Sequence, residues 1–285
     1  MVQLNGAAYA KLNLTLDVLG EREDGYHDMR MVMQSVTLCD TLKLTFGGTG
    51  LQVRTNLRFL PNDEKNLAAQ AALRFWEATG RQPEPLTIEL KKSIPVCAGM
   101  AGGSSDAAAV LTLLNRHYET PLSQQELQSV GAKVGSDVPY CVLGGTALAE
   151  GRGEILTPLP ALPQCHIVLC KPQVSVSTPE LFARIRCNKI KCHPDTAGVL
   201  NALKEQDLPG VARRLYNVFE DVLPERVASV VMEIKHRLIQ SGALGATMSG
   251  TGSTVFGLFD REDRAMEAAR QLKEQYRDTF LVKPV

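Results

Sequence analysis

The segment IPVCAGMAGGSSDAAAVLTLLN, residues 94–115, joins an apolar strand-like lead, three glycines at 99, 102 and 103, two serines and an Ala/Leu-rich helical run. Glycine allows the backbone torsions and the close approach that a phosphate demands. A helix predicted from about Ser104 to Asn115 would aim unpaired amides and its dipole at the same anion. The stretch Pro95, Val96, Cys97, Ala98, Gly99, Met100, Ala101, Gly102, Gly103, Ser104 and Ser105 therefore reads as a phosphate cradle. A flexible turn that merely starts a helix is the plainer alternative, but the abrupt succession of strand, glycines, serines and helix favours anion binding. Ser104 or Ser105 would cap the helix or contact phosphate or its Mg2+. No Lys-Ser or Lys-Thr pair follows the glycines, and neither a Rossmann fingerprint nor the protein-kinase set is present.

Around this segment the pattern is of mixed strands and helices. Ala10, Leu12, Leu14, Leu16 and Val18 alternate with Lys11, Asn13, Thr15 and Asp17, the period of a half-buried strand with Lys11 and Asn13 on its polar face. Alternation returns at 42–46, 51–53 and 86–90, with the turn GGTG at 47–50 joining two of the runs. A mostly antiparallel sheet is expected. NLAAQAALRFWEATG predicts a helix stopped by Gly80, and Ser123 with Glu126 predicts a capping box. The prolines at 158, 160 and 163 mark a linker, which places one domain at 1–158 and a second at 159–285. Beyond it, strands alternate with amphipathic helices, so the fold class is α+β.

Thirty-one basic residues balance 31 acidic ones, so no global field recruits nucleic acid or an anionic membrane. No apolar run reaches the ~20 residues of a membrane span. Seven scattered cysteines fit reduced thiols, hence a cytoplasmic location. Cys187, Cys192 and His193 match no common zinc spacing.

Four weaker signals accompany the loop: Lys11 on its strand, Asp137 in GSDVP, the turn DGYH at 24–27, and a second glycine-rich turn, SGTGS, at 249–253. Each has an ordinary reading, respectively an exposed edge lysine, a turn or cap residue, a surface turn and a simple connection.

Taken together, AKLNL (10–14), DGYH, AGMAGGSSDAA (98–108), GSDVP (135–139) and SGTGSTVF (249–256) closely resemble the GHMP superfamily of small-molecule kinases. The resemblance spans essentially the whole chain, and AKLNL with DGYH resembles the branch acting on a cytidine diphosphate-linked methylerythritol. It implies an N-terminal domain like domain 2 of ribosomal protein S5, a C-terminal ferredoxin-like domain and an active site in the cleft between them. It also implies ATP as phosphoryl donor with Mg2+, transfer to a 2-hydroxyl in non-mevalonate isoprenoid synthesis, and no obligate protein partner. Lys11 and Asp137 match the family's catalytic pair, Asp137 as proton acceptor and Lys11 as holder of the hydroxyl. Tyr26 and Phe182 match aromatics that sandwich cytosine, and His27 matches the reader of its polar edge. Asn13 and Thr178 match substrate-pocket positions, while Asn66 and Lys92 fall where the family contacts adenosine.

The chain departs from the family pattern with Tyr9 and Ser253 in place of prolines and Met100 in place of leucine. Met for Leu preserves volume. The rival readings are a kinase for a sugar, homoserine or mevalonate, which offer no pyrimidine to stack, and an inactive nucleotide-binding member, which would have lost Lys11 or Asp137.

Overall fold

Two long strands open the chain, β1 (Gln3–Glu21) and β2 (His27–Phe46), joined at the DGYH turn. The computed structural model describes residues 2–119, 122–187, 190 and 192–285. By contacts the chain forms two units. The first comprises Met1–Ala10, Leu38–Ile94 and Ala101–Gly144, the second Lys11–Thr37, Pro95–Met100 and Gly145–Val285.

In the first unit, β4 (Leu86–Lys91) pairs antiparallel with β2, with Leu44 opposite Ile88. β3 (Leu51–Thr55) pairs parallel with β4, with Val53 opposite Ile88. The GGTG turn therefore links two strands that are not neighbours, and the sheet is not purely antiparallel. A parallel pair needs a crossover, and α1 (Leu67–Thr79) supplies it. Asn66 caps that helix by accepting from the Ala68 amide at 3.0 Å, and Gly80 ends it in the left-handed region at φ 64°. The expected capping box holds α3 (Gln124–Ala132), through Ser123 and Glu126.

α2 spans Gly102–His117, two residues earlier than the sequence suggests, and Ala101 precedes it at φ 56°. Neither serine caps the helix; both lie inside its first turn. Phe75 and Trp76 of α1 and Leu111 and Leu114 of α2 pack with Leu42, Leu44 and Ile88 in one buried core. At ~25 cal/mol per Å2 of apolar surface, such burial is what holds a helix layer to a sheet. α4 (Val138–Leu143) follows Asp137.

In the second unit, β5 (Thr146–Gly151) pairs antiparallel with β2 and with β6 (Ile155–Pro158). The C-terminal part runs β7 (His166–Lys171), α5 (Thr178–Arg184), α6 (Thr196–Lys204), α7 (Leu208–Ala212), β8 (Tyr216–Asn217), α8 (Glu225–Gln240), β9 (Gly245–Met248), β10 (Val255–Phe259), α9 (Glu262–Lys273) and β11 (Asp278–Val282). β8 joins β1 in parallel, with Thr15 opposite Tyr216. The other four strands form an antiparallel sheet in the order β11-β7-β10-β9. With α8 after β7 and α9 after β10, this is the βαββαβ arrangement of a ferredoxin-like fold. Among the described residues no helix is long and apolar enough to cross a membrane.

Candidate active site

Within the first unit, the start of α2 is built tightly. A Cβ on Gly103 would meet Leu67 Cδ1 at 3.1 Å, and one on Gly102 would meet Ile94 Cγ2 at 3.1 Å. The Ser105 hydroxyl donates to the Tyr9 carbonyl at 2.7 Å and lies 3.4 Å from Cys141 Sγ of α4. Tyr9 thus serves the loop through its carbonyl, which does not require proline there. Ser104 is half-buried, and its hydroxyl lies 3.8 Å from where a Gly135 side chain would start. This unit therefore brings the Gly102–Ser105 turn beside the GSDVP segment. Asp137 occupies the N-cap position of α4, yet its side chain makes no capping bond.

Asn66 and Lys92, expected beside adenosine, have structural commitments. Asn66 caps α1 and donates from Nδ2 to the Pro61 carbonyl at 2.8 Å. The Lys92 ammonium donates to Asp40, to Asp106 at 2.5 Å and to the Gly102 carbonyl at 3.2 Å.

Within the second unit, the polar face of β1 is buried rather than exposed. Lys11 is 4% exposed and Asn13 and Thr15 are 0% exposed. Each has a partner there, which is how a polar stripe tolerates burial. Lys11 Nζ donates to Asn13 Oδ1 at 2.7 Å, and the Lys11 amide donates to the Met100 carbonyl at 3.2 Å. The Asn13 amide donates to Ser249 Oγ at 3.3 Å, and that hydroxyl donates to the Gly99 carbonyl at 2.9 Å. The SGTGS turn is thus a clamp on the loop. Asn217 ties the turn down by donating to the Met248 and Gly250 carbonyls at 2.8 and 2.7 Å. Ser253, where the resemblance expects proline, is fully buried and donates to the Val174 carbonyl at 2.5 Å. Met100 is buried as well, while Cys97 is exposed at φ 51°.

The aromatic residues also fall in this unit. Phe182 of α5 lies 5.0 Å from His27, tilted by 39°, and meets buried Phe219 edge-on, also at 5.0 Å. Tyr26 is 54% exposed, and the Arg152 guanidinium stands 5.0 Å over its ring. Thr178 is exposed and shares a 3.0 Å hydroxyl contact with Thr251. The described contacts therefore pair His27, not Tyr26, with Phe182. Sequence reading missed Ser249, Asn217 and Arg152 as individual residues because their partners are up to 236 positions distant.

The sequence profile described as GHMP kinases N terminal domain matches residues 66–145, and that of GHMP kinases C terminal matches residues 199–278. With the glycine-serine loop at the start of α2 and the ferredoxin-like C-terminal sheet, they define the class as an ATP-using GHMP kinase. The chain is 42% identical over 278 residues to a 4-diphosphocytidyl-2-C-methyl-D-erythritol kinase of Clostridium novyi, covering 98% of this chain and 99% of the relative. A relative of the same name from Lachnoclostridium phytofermentans is 45% identical over 269 residues, covering 93% and 91%. A crystal structure of 4-(cytidine 5'-diphospho)-2C-methyl-D-erythritol kinase superposes with a TM-score of 0.84 at 34% identity, over 99% of both chains. The chain belongs to the 4-diphosphocytidyl-2-C-methyl-D-erythritol kinase family.

Proposed function

We infer that the protein transfers the γ-phosphate of ATP to the 2-hydroxyl of 4-diphosphocytidyl-2-C-methyl-D-erythritol, giving the 2-phosphate and ADP. The observation that carries this is 42% identity over 98% of the chain to a 4-diphosphocytidyl-2-C-methyl-D-erythritol kinase. The product belongs to the methylerythritol phosphate route to isoprenoid precursors. A cytoplasmic location fits seven cysteines that form no disulfide with one another. The reading involves no nucleic acid, membrane or obligate protein partner. The modules 1–158, carrying the ATP loop, and 159–285, contributing to the substrate side, are part of the same proposal. One family profile falls in each.

Phosphoryl transfer asks the protein mainly for positioning and charge stabilisation. Asp137 accepts the proton of the attacking hydroxyl, and Lys11, oriented by Asn13, holds that oxygen and balances developing charge. A tertiary alcohol is a hindered nucleophile, so orientation matters: oriented reactants gain as much as about 7–11 kcal/mol. The backbone from Pro95 to Ser105 cradles the phosphates. Mg2+ held mostly by nucleotide phosphates needs one or two protein oxygens. Ser104 fits that need, because Ser105 is committed to Tyr9 and no hydrogen bond among the described residues engages the Ser104 hydroxyl.

A coupled ADP-release assay comparing the cytidylyl substrate with galactose, homoserine and mevalonate tests the assignment. The cytidylyl substrate should be turned over fastest, and faster turnover of any of the other three would overturn it. Phe182→Ala should raise KM for the cytidylyl substrate about 5- to 100-fold, because stacking a base on an aromatic ring contributes ~1–3 kcal/mol. KM for ATP should hold within about twofold. A parallel rise in both constants would remove Phe182 from base recognition.

A further inference from the structure

Two hairpin tips stand side by side in the second unit. One joins β1 to β2 and carries Tyr26, with His27 at its edge; the other joins β5 to β6 and carries Arg152. They are neighbours because the register of β2 and β5 sets Met29 opposite Gly151. Three arginines lie at these tips and on the strand behind them, and two are committed to carboxylates. Arg22 Nη1 donates to Asp28 Oδ1 at 2.6 Å, and Arg30 Nε donates to Glu150 Oε1 at 3.1 Å.

Arg152 differs. Among the described residues no hydrogen bond engages its guanidinium. Glu154 Oε1 stays 3.8 Å from its Nε, while Glu154 Oε2 accepts from the Arg152 amide at 2.6 Å and so closes the tip. Asp24 also feels the Arg152 charge, but its oxygens already accept from the Tyr26 amide at 3.1 Å and from Arg22 at 3.4 Å. The guanidinium rests instead over the Tyr26 ring, 5.0 Å from its centre. Both partners are open to solvent, the Arg152 side chain 41% exposed and Tyr26 54%.

An exposed contact between a cation and a ring is a weak hold. Five N–H donors in a planar fork suit the oxygens of a phosphate far better, and a bidentate pair with a charged acceptor is stronger than a neutral bond. A nucleotide whose base stacks on Tyr26 carries its 5′-phosphates on the adjoining ribose, within the sweep of the side chain on the neighbouring tip. The exchange of ring for phosphate is then downhill.

We propose that Arg152 is a binding residue for the diphosphate of the acceptor, held over Tyr26 until the base stacks and then passed to the phosphate oxygens. This rests on the reading above, in which the acceptor is a cytidine diphosphate derivative that stacks at Tyr26. The two tips thereby divide recognition: Tyr26 and His27 receive the base, and Arg152 selects a nucleoside diphosphate over the bare nucleoside.

Calorimetric titration of CDP and of cytidine into the full-length protein, with a non-hydrolysable ATP analogue already bound, separates the charge from the base. Arg152→Ala should weaken CDP binding about 10- to 100-fold while cytidine affinity stays within about threefold. Arg152→Lys, which keeps the charge but not the fork, should lose less than Arg152→Ala for CDP. Arg152→Gln provides a second neutral variant should the alanine protein fail to fold, and should match the loss expected of it. Equal losses for CDP and cytidine would make Arg152 a prop for the Tyr26 ring and overturn the proposal, as would unchanged CDP affinity. A wild-type protein that binds neither CDP nor cytidine would overturn the acceptor reading beneath it.

Discussion

Asp137→Ala is expected to lower kcat about 10^2- to 10^4-fold while ATP affinity stays within about threefold, the span that a positioned general base contributes. Asp137 stands at the N-cap of α4, and its side chain makes no capping bond to the helix amides, so the ~1 kcal/mol that such a bond contributes is not lost with it. ADP release in the presence of the cytidylyl substrate, together with equilibrium ATP binding, provides the check. Near-normal turnover would take Asp137 out of the mechanism, and a large loss of ATP affinity would make it a nucleotide ligand instead.

Gly99→Ala should be nearly as damaging, by a different route. Gly99 lies at φ 74°, and a Cβ there would stand 2.1 Å from the Ser249 carbonyl oxygen. Backbone cannot swing aside as a side-chain tip can, so either the loop or the SGTGS clamp must move. Because Asn13 and Lys11 are tied to the same clamp through Ser249, the shift reaches both of them, the proposed catalytic lysine included. A misplacement of about 1 Å costs about 10^2-fold in rate, and at least that loss in kcat/KM is expected. Gly80→Ala provides the comparison. Its φ of 64° is similarly left-handed, but nothing lies within 4 Å of the new methyl group, so only the ~1–2 kcal/mol of torsional strain applies and activity should survive. Equal kinetic effects from the two substitutions would mean that strain, and not the clash with Ser249, governs Gly99.

Part of the candidate site was legible in the residues. The glycine-serine run predicted a helix start, and α2 does begin there, with Gly102 and Gly103 inside it. The α+β class followed from alternating periods. What escaped the reading was pairing. GGTG joins two strands, as read, but β4 lies between them, since a helix crossover returns the chain to the gap. Lys11 looked like a solvent-facing residue on an amphipathic strand, because period alone cannot report that a second layer covers the polar side. Likewise Lys92 offered no hint that Asp40 and Asp106, 52 and 14 positions away, would share its charge.

The chain passes from one unit to the other at residues 10, 37, 94, 100 and 144. Exchange between homologous enzymes is therefore constrained in a way that a bead-like chain would escape. A cassette ending at the proline-rich stretch would deliver Lys11 and Asn13 without the Ser249 clamp that receives the Asn13 amide. Chimeras made by a single crossover would inherit Lys11 from one parent and its support from another. Recombination that respects function must move six chain segments together, and so parts of this enzyme are expected to be inherited as one.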